Sequence, residues 1–411
     1  MDFREVTLQI DTIANGGDGI GRLVDGRAVF IPFTLPGEVV QVRLQEVKAG
    51  VLRGELMKVI HPAEGRINPR CKHFGTCGGC HFQHMDYPTQ LVVKENILRD
   101  TLARVGGLTD IPVLPLVPSP LEWNYRNHVQ YHLHESGHLG FQRRNSHEVI
   151  PIQECHLPYK DLDDLRDLLS LDPRAGIKRV SVREGTDAEL MIVLESNSAE
   201  MPEMELDLPA SVIHASPYGE IVLAGGSHLF MEINRQEFKV SAGSFFQVNL
   251  QVAGKMVEHI LSLLPGGEIA CLLDLYCGVG LFSAFVASRS TRLVGIESSH
   301  SACLDFADNL DKFDNVELYE GSTDGILPML DLHPDIVIAD PPRTGLGLKT
   351  LDTLIKLASG QIIYVSCDPA TLARDAARLM KHGYLCNGIT PFDMFPQTSH
   401  IETISSYKLQ N

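Results

Sequence analysis

The chain has 411 residues, of which 44% are hydrophobic, 21% charged and 7% aromatic, and its formal net charge at pH 7 is −17. This balance is ordinary for a globular protein of two or three domains and excludes a disordered, collagen-like or disulfide-scaffold protein. No apolar run approaches the ~20 residues that a membrane-spanning helix needs, and the charged N-terminus lacks the apolar stretch of a signal peptide. We therefore expect a soluble, cytoplasmic protein without a membrane partner.

The negative charge is unevenly distributed along the chain. Residues 1–148 contain 16 Lys and Arg against 16 Asp and Glu, whereas residues 161–235 and 236–411 have net charges of −9 and −8. An acidic balance does not favour binding to a nucleic acid backbone, and the composition shows no basic patch. If the protein binds RNA, we expect the neutral N-terminal third to contact it.

Residues 1–60 are predicted to form a small β-barrel. A glycine-rich turn at residues 15–19 follows the first of four segments in which apolar and polar side chains alternate. The four segments are Val6–Ile10, Ala28–Phe33, Val39–Leu44 and Val51–Val59. Short strands joined by such turns are typical of closed barrels of the oligonucleotide-binding type. A β-module that only caps a larger domain would show the same pattern.

Residues 61–235 are predicted to form a central α+β domain. A cysteine-rich segment is followed by a helix over Thr89–Val105, which ends at Gly106 and Gly107. Further short strands, such as Val129–Leu133 and Glu189–Leu194, surround an acidic helix near residues 161–170.

Residues 236–411 have the pattern of a parallel sheet. After a helix over Val248–Leu264, near-continuous apolar runs alternate with helical stretches. The runs are Cys271–Tyr276, Leu293–Glu297, Val316–Tyr319, Asp335–Asp340 and Gln361–Ser366. Such runs are typical of strands buried on both faces, with helices on either side. We predict an α/β protein in which a β-barrel (1–60) and a central domain (61–235) precede a doubly wound, Rossmann-like domain (236–411).

A glycine loop in the C-terminal part predicts a nucleotide site. The segment DLYCGVG, residues 274–280, ends the first buried strand, and Glu297 closes the next strand 23 residues after Asp274. That spacing suits a carboxylate that accepts hydrogen bonds from ribose hydroxyls. The third glycine of the dinucleotide fingerprint is absent, since residue 283 is serine. An adenosine cofactor without phosphates therefore fits better than NAD, and a glycine that only packs a strand against a helix is the alternative.

Two further strand ends carry candidate catalytic residues. Two prolines follow Asp340 and hold it at the carboxyl edge of the sheet. Cys367 lies between a buried strand and a helix for which Asp368 is the predicted N-cap and Pro369 the first residue. A helix N-terminus favours a thiolate, which makes the sulfur a candidate nucleophile. Four other dispersed cysteines are interpreted as inert and buried: Cys271, Cys277, Cys303 and Cys386.

A cysteine cluster predicts a metal centre. Cys71, Cys77 and Cys80 lie within ten residues, and Cys155 is the next cysteine along the chain. Four thiolates hold either zinc or a [4Fe–4S] cluster, and the spacing does not choose between the two. With four ligands no coordination position stays open, so we expect a structural or RNA-positioning centre. Three histidines are alternatives to Cys155 as the fourth ligand: His73, His81 and His84.

Taken with the four cysteines, motifs along essentially the whole chain resemble the RNA (uracil-5-)methyltransferases that use S-adenosylmethionine. They are FFQVN (245–249), DLYCG (274–278), DPPR (340–343), SCDPATLARD (366–375) and DMFPQTSHIE (393–402). Residues 1–60, with GGDGIGR and VFIPFTLPGEVV, resemble the TRAM domain of this family. An exocyclic-amine methyltransferase would have an aromatic residue after Asp-Pro-Pro, where this chain has Arg343.

The resemblance implies a role for each candidate residue. It places a [4Fe–4S] cluster on Cys71, Cys77, Cys80 and Cys155, and S-adenosylmethionine contacts at Gln247, Tyr276, Glu297 and Asp340. Cys367 becomes the nucleophile that adds to C6 of uracil, and Glu402 the base that removes the C5 proton, with His400 as the competing base.

The resemblance also implies a substrate. The combination of cluster and barrel is similar to the branch that modifies 23S ribosomal RNA, with transfer RNA as the second choice. A non-catalytic iron–sulfur RNA-binding protein is the alternative from another class, and an intact pair of Cys367 and Glu402 argues against it. We expect the protein to be a monomer.

Overall fold

The structure is a computed structural model, and it describes residues 5–47, 51–169, 171–198, 200 and 208–410. Its elements form a closed barrel, a mixed seven-stranded sheet, a two-stranded hairpin and a second seven-stranded sheet with helices. None of the described helices has both the length and the apolar composition that crossing a membrane requires.

The N-terminal strands close into a barrel in the order β1-β2-β3-β5-β4. They are β1 (Glu5–Ile13), β2 (Gly19–Arg22), β3 (Ala28–Ile31), β4 (Val39–Val47) and β5 (Val51–His61). Alternate residues such as Leu8, Ile10, Val40 and Val42 fill the interior, as the period-2 pattern predicts. The predicted barrel is confirmed, but the sequence pattern missed β2, because its residues Gly-Ile-Gly-Arg look like part of a turn.

Helix α1 (Tyr87–Gly106) follows the cysteine-rich segment, and it was predicted within two residues. The side chain of Asp86 accepts a hydrogen bond from Thr89 N, and Gly107 ends the helix in the left-handed conformation at φ 65°. One face of the helix is buried, and it includes a lysine, Lys94.

The central sheet has the order β12-β11-β10-β9-β6-β7-β8, and only β10 and β11 run parallel. Its strands are β6 (His128–Leu133), β7 (Leu139–Gln142), β8 (Val149–Pro151), β9 (Ile177–Glu184), β10 (Leu190–Ser196), β11 (Ala210–Ser216) and β12 (Gly219–Ala224). Helix α2 (Lys160–Leu168) buries Leu162 and Leu165 in the same core as Val180 and Val182 of β9.

The C-terminal sheet is doubly wound, in the order β17-β16-β15-β18-β19-β21-β20. The hairpin of β13 (His228–Ile233) and β14 (Gln236–Ser241) precedes this sheet in the chain. The strands of the sheet are β15 (Ile269–Leu275), β16 (Ser290–Glu297), β17 (Val316–Glu320), β18 (Ile336–Ala339), β19 (Gln361–Ser366), β20 (Tyr384–Phe392) and β21 (Glu402–Leu409). The helices are α3 (Leu250–Leu263), α4 (Leu281–Val286), α5 (His300–Leu310), α6 (Thr323–Ile326), α7 (Leu348–Leu357) and α8 (Pro369–Lys381).

The order of the strands determines where a ligand can bind. From β15, the strands β16 and β17 are added on one side of the sheet and β18 and β19 on the other. The strand order therefore switches between β15 and β18, which run parallel. In open sheets of this kind, ligands bind at the carboxyl ends of the strands beside that switch point. The predicted fold class, including all five parallel strands, is confirmed, whereas the division of the chain at residues 60 and 235 stays a prediction.

Candidate active site

The glycine loop follows β15 at the switch point. Tyr276 adopts a left-handed backbone conformation with φ 61°, and Gly278 and Gly280 follow at φ 54° and 90°. A Cβ atom at Gly280 would stand 2.4 Å from Leu310, so only glycine fits there, whereas a Cβ atom at Gly278 would meet nothing within 4 Å. The loop therefore turns tightly and leaves open space beside Gly278.

Glu297 is held against this loop by backbone donors. One carboxylate oxygen, Oε2, accepts from Gly278 N at 3.0 Å, and Oε1 accepts from Ser298 N at 2.6 Å and Ser299 N at 2.7 Å. These bonds fix the carboxylate at the end of β16. The structure thus brings Tyr276 and Glu297, two of the predicted cofactor residues, to the same strand edge.

Two acidic side chains lie at the ends of β15 and β18. Burial raises the pKa of Asp340 to about 7, and the charge of Asp274 adds to this effect. Burial likewise raises the pKa of Asp274 to about 7, although its Oδ2 accepts from Ser283 Oγ at 2.6 Å. Asp274 Oδ1 is buried without a hydrogen-bond partner. A cationic ligand group nearby would favour the ionised form of both carboxyls.

Gln247, the fourth predicted cofactor residue, comes from the segment before α3. Its carbonyl accepts from Asn127 Nδ2 at 3.1 Å, and Asn249 caps α3 by accepting from Val252 N. In the described part of the chain, no hydrogen bond joins Gln247 to the glycine loop.

Cys367 follows β19, at the N-terminus of α8. Asp368 accepts from Ala370 N at 2.8 Å and Thr371 N at 2.9 Å, so the predicted N-cap is confirmed. The thiol is half-buried and lines a cavity of about 230 Å³. The other residues that line this cavity are Asn15, Gly16, Arg343, Asp368, Pro369, Ser399, His400 and Ile401.

The surroundings of Cys367 oppose the thiolate that the helix N-terminus is expected to favour. Burial raises the pKa of its thiol to about 12, and the charges of Glu402 and Asp340 act in the same direction. The charge of Arg343 lowers the pKa of this thiol, but by less than the other effects raise it. Desolvation therefore acts against the helix N-terminus and favours the neutral thiol.

The two candidate bases differ in their surroundings and in the direction of their pKa shifts. His400 lines the same cavity, and burial lowers the pKa of its imidazole to about 3. Glu402 begins β21 opposite Phe392 of β20 and is only 8% exposed. Burial raises the pKa of its carboxyl well above the usual value, Asp340 adds to this effect, and Arg343 opposes it. A carboxylate with a raised pKa is the stronger base of the two.

Arg343 is a site residue that the sequence reasoning used only to exclude another enzyme class. It lines the Cys367 cavity, and it lowers the pKa of three side chains: Cys367, His400 and Glu402. Its position directly after the Asp-Pro-Pro turn was the signal that could have identified it.

The four predicted metal ligands line one cavity of about 270 Å³. Backbone amides donate to two of the sulfurs, from His73 N to Cys71 Sγ and from Gly79 N to Cys77 Sγ, both at 3.4 Å. Burial raises the pKa of Cys80 and Cys155 to about 12. Among the residues that the structure describes, no three Cys, His, Asp or Glu side chains are arranged closely enough to define a metal site.

The alternative histidine ligands separate in the structure. His73 lines the cysteine cavity, and its Nε2 accepts from Gln153 N at 3.0 Å. His84 is buried beside Thr34 of the barrel, and His81 lines a different cavity. Of the three histidines, only His73 is placed to replace Cys155.

A groove with basic side chains lies between the barrel and the central sheet. This cavity, of about 830 Å³, shares Asn15 and Gly16 with the cavity at Cys367. Its cationic or titratable lining residues are Arg53, Arg143, Arg144, His81, His132 and His147, with Asp18 as the single acid. The whole-chain composition concealed this groove, because its basic residues come from separate segments of an acidic protein.

Comparisons with known proteins agree with this geometry. Residues 1–57 match the TRAM domain, and residues 227–407 match the tRNA (Uracil-5-)-methyltransferase family. An uncharacterized RNA methyltransferase of Halalkalibacterium halodurans is 32% identical over 100% of this chain and 98% of its own length. One from Streptomyces avermitilis is 33% identical over 98% and 97% of the two chains.

A solved structure has the same architecture from end to end. The tRNA (uracil-54, C5)-methyltransferase of Pyrococcus abyssi, in complex with S-adenosyl-L-homocysteine, is 25% identical to this chain. The two structures superimpose with a TM-score of 0.73 over 97% of this chain and 100% of the other. The full-length relatives, the matched family and the shared fold together show that this chain belongs to the RNA (uracil-5-)methyltransferase family.

Proposed function

We propose that this enzyme methylates C5 of a uridine in RNA through a covalent bond between Cys367 and C6 of the base. The observation that carries the proposal is the meeting of four charged or titratable groups at one strand edge. Asp340 and Arg343 come from the turn after β18, Cys367 from the end of β19 and Glu402 from the start of β21. Glu402, Asp340 and Arg343 all shift the pKa of Cys367, and Asp340 and Arg343 also shift that of Glu402. The membership in a methyltransferase family makes S-adenosylmethionine the methyl donor.

The residues of the switch point fit this donor. Asp274 Oδ1 is a buried acceptor without a partner, and there is open space beside Gly278. Glu297 lies 23 residues after Asp274, the spacing typical of a ribose-binding carboxylate, and it is held beside the glycine loop. We assign the donor to Gln247, Tyr276, Glu297 and Asp340. When bound, S-adenosylmethionine supplies an electrophilic methyl group and a positive charge.

The chemistry assigns one step to each residue. The thiol of Cys367 releases its proton to water, and the resulting thiolate adds to C6. The electron pair of the C5–C6 double bond moves onto the ring as an enolate, which makes C5 nucleophilic. C5 then bonds to the methyl group of the donor as the donor's sulfur–methyl bond breaks, and S-adenosylhomocysteine is the product that leaves. The carboxylate of Glu402 removes the C5 proton, the electrons of that C–H bond restore the double bond, and the sulfur–C6 bond breaks. Arg343 stabilises the anionic forms of both protein groups.

This role of Arg343 predicts a change in the pH dependence of activity. In Arg343→Gln, the pKa values of Cys367 and Glu402 rise further, and both groups act in their deprotonated forms. We expect a severalfold loss of turnover at neutral pH and a pH–rate profile displaced toward alkaline pH. Arg343→Lys keeps the charge and is the matched control. An unshifted profile in Arg343→Gln would contradict the role.

The RNA is proposed to reach Cys367 along the basic groove. The groove and the Cys367 cavity are joined at Asn15 and Gly16, and Phe30 and Phe141 offer aromatic surfaces among the basic side chains. Single-stranded RNA requires cations that bind its phosphates and aromatic rings that stack on its bases. Arg143 and Arg144 are paired with Glu148 and Asp18, so phosphates would compete with these two acids for them. Because the groove connects to the nucleophile, we infer that the barrel contributes directly to substrate binding.

For the cysteine cavity we propose a [4Fe–4S] cluster held by Cys71, Cys77, Cys80 and Cys155. Four sulfurs on one cavity wall, two of them already accepting backbone N–H bonds, suit a closed cluster. Anaerobically purified protein should contain about four iron atoms per chain and absorb broadly toward the blue end of the visible spectrum. Cys80→Ala should lose the iron, whereas Cys386→Ala, a buried cysteine elsewhere, should retain it. Zinc in place of iron would contradict the proposal.

We propose 23S ribosomal RNA as the substrate, because a cysteine cluster combined with a TRAM barrel is the pattern of the ribosomal branch. Transfer RNA is the second candidate, and the name of the Pyrococcus abyssi enzyme favours it. The decisive experiment is to map 5-methyluridine in ribosomal and transfer RNA from cells with and without the gene. A site lost only from transfer RNA would overturn the ribosomal assignment, and no lost site would contradict the proposed function.

A further inference from the structure

A loop between β20 and β21, residues 393–401, carries His400 and leads directly into Glu402. Its first residue, Asp393, accepts a hydrogen bond from Lys94 Nζ at 2.6 Å. Both side chains are fully buried, at 0% exposure. The same ammonium group donates to the carbonyl of Phe395 at 3.0 Å. Helix α1 therefore holds the start of this loop by a charged side chain from a distant part of the sequence.

Helix α1 also holds the middle of the loop. Gln90 and Gln397 exchange two hydrogen bonds: Gln90 Nε2 donates to Gln397 Oε1, and Gln397 N donates to Gln90 Oε1, both at 2.9 Å. Gln397 has a left-handed backbone with φ 70°, which is unfavourable for a residue other than glycine and needs support from its surroundings. The backbone N–H groups of His81 and Phe82 both donate to the carbonyl of Gln397.

These contacts bear on Glu402 because of the strand register. Phe392 pairs with Glu402, so Asp393 and Glu402 stand at the mouth of the same hairpin. A buried ion pair is weak evidence for stability, since desolvation of the charges offsets their attraction, and its better-attested use is to select one arrangement. Here the selected arrangement is that of the loop that ends at the candidate base.

We propose that Lys94 and Gln90 are positioning residues for the proton-removal step. This inference rests on the proposed function. Cys367 lies between β19 and α8, whereas Glu402 is the first residue of β21, at the point where the loop that these two side chains anchor enters the strand. Loss of either anchor should therefore impair removal of the C5 proton more than the addition of sulfur to C6.

The test compares turnover with the amount of covalent protein–RNA adduct on denaturing gels. In Lys94→Met we expect turnover to fall by about 10- to 100-fold, as a small misplacement of a catalytic group allows, while the adduct accumulates. Gln90→Met removes three hydrogen bonds, two with Gln397 and one to the carbonyl of Met85, without leaving a buried charge unpaired. It keeps the test valid if Lys94→Met does not fold. Arg104→Met, which loses an exposed ion pair with Asp100 on the same helix, is the matched control.

The outcomes separate the inference from the function on which it rests. Adduct accumulation in the Lys94 and Gln90 variants but not in Arg104→Met supports the positioning role. Equal loss of turnover and adduct in both variants, as a purely structural defect would give, overturns it. If Glu402→Gln, run in parallel, forms no adduct, the assignment of the base in the proposed function fails. Adduct in Glu402→Gln but not in the Lys94 and Gln90 variants overturns only the positioning role.

Discussion

Replacing Cys367 by alanine is expected to abolish methyl transfer to RNA. Without the sulfur, no bond forms at C6, and C5 of uracil is too weak a nucleophile to attack the methyl group. Loss of a covalent nucleophile typically lowers turnover by at least about 10⁴-fold. Transfer of labelled methyl groups from S-adenosylmethionine to RNA measures the effect.

Because burial raises the pKa of the Cys367 thiol to about 12, the activity of the unmodified enzyme should also rise with pH until a later step limits it.

The matched control is Cys271→Ala. Cys271 is also half-buried and lies in the same sheet, but it belongs to β15 before the strand reaches the switch point. This variant removes the same atom and should keep near-normal turnover. Cofactor binding, measured directly, should be retained in Cys367→Ala, since the thiol is not among the residues assigned to the donor. Undiminished methyl transfer by Cys367→Ala would refute the covalent mechanism.

Local sequence signals predicted the framework of this site. A capping residue and a proline located the start of α8, so the position of Cys367 at a helix N-terminus followed from neighbouring residues alone. Continuous apolar runs predicted the five parallel strands, and the strand ends then brought Tyr276, Glu297 and Asp340 to one edge. Each of these features depends on residues close together in the chain.

Features that depend on distant residues were missed. The pKa of the Cys367 thiol depends mainly on the burial of its sulfur. The cavity around the sulfur is lined by residues from the barrel, from the turn after β18, from the start of α8 and from the 393–401 loop. Lys94 looks like an ordinary surface residue of a helix until its partner, Asp393, is known. The basic groove likewise exists only after the barrel is placed beside the central sheet.

Replacing Glu402 by glutamine should trap the reaction after methyl transfer. The amide cannot accept the C5 proton, so sulfur cannot leave C6, and the methylated RNA should stay bound to Cys367. We expect turnover to fall by about 10²- to 10⁴-fold, the range for loss of a general base, and a protein–RNA band that survives denaturing gels. Labelled methyl groups in that band would show that the block follows methylation.

The parallel variant is His400→Asn, because His400 also lines the Cys367 cavity. Burial and the charge of Arg343 keep the pKa of this imidazole at about 3, so it binds a proton too weakly to complete the step. Glu402 has a raised pKa, which suits a group that must take a proton from carbon and release it afterwards. We therefore expect His400→Asn to form no stable adduct, and a trapped complex in that variant instead of Glu402→Gln would reassign the base.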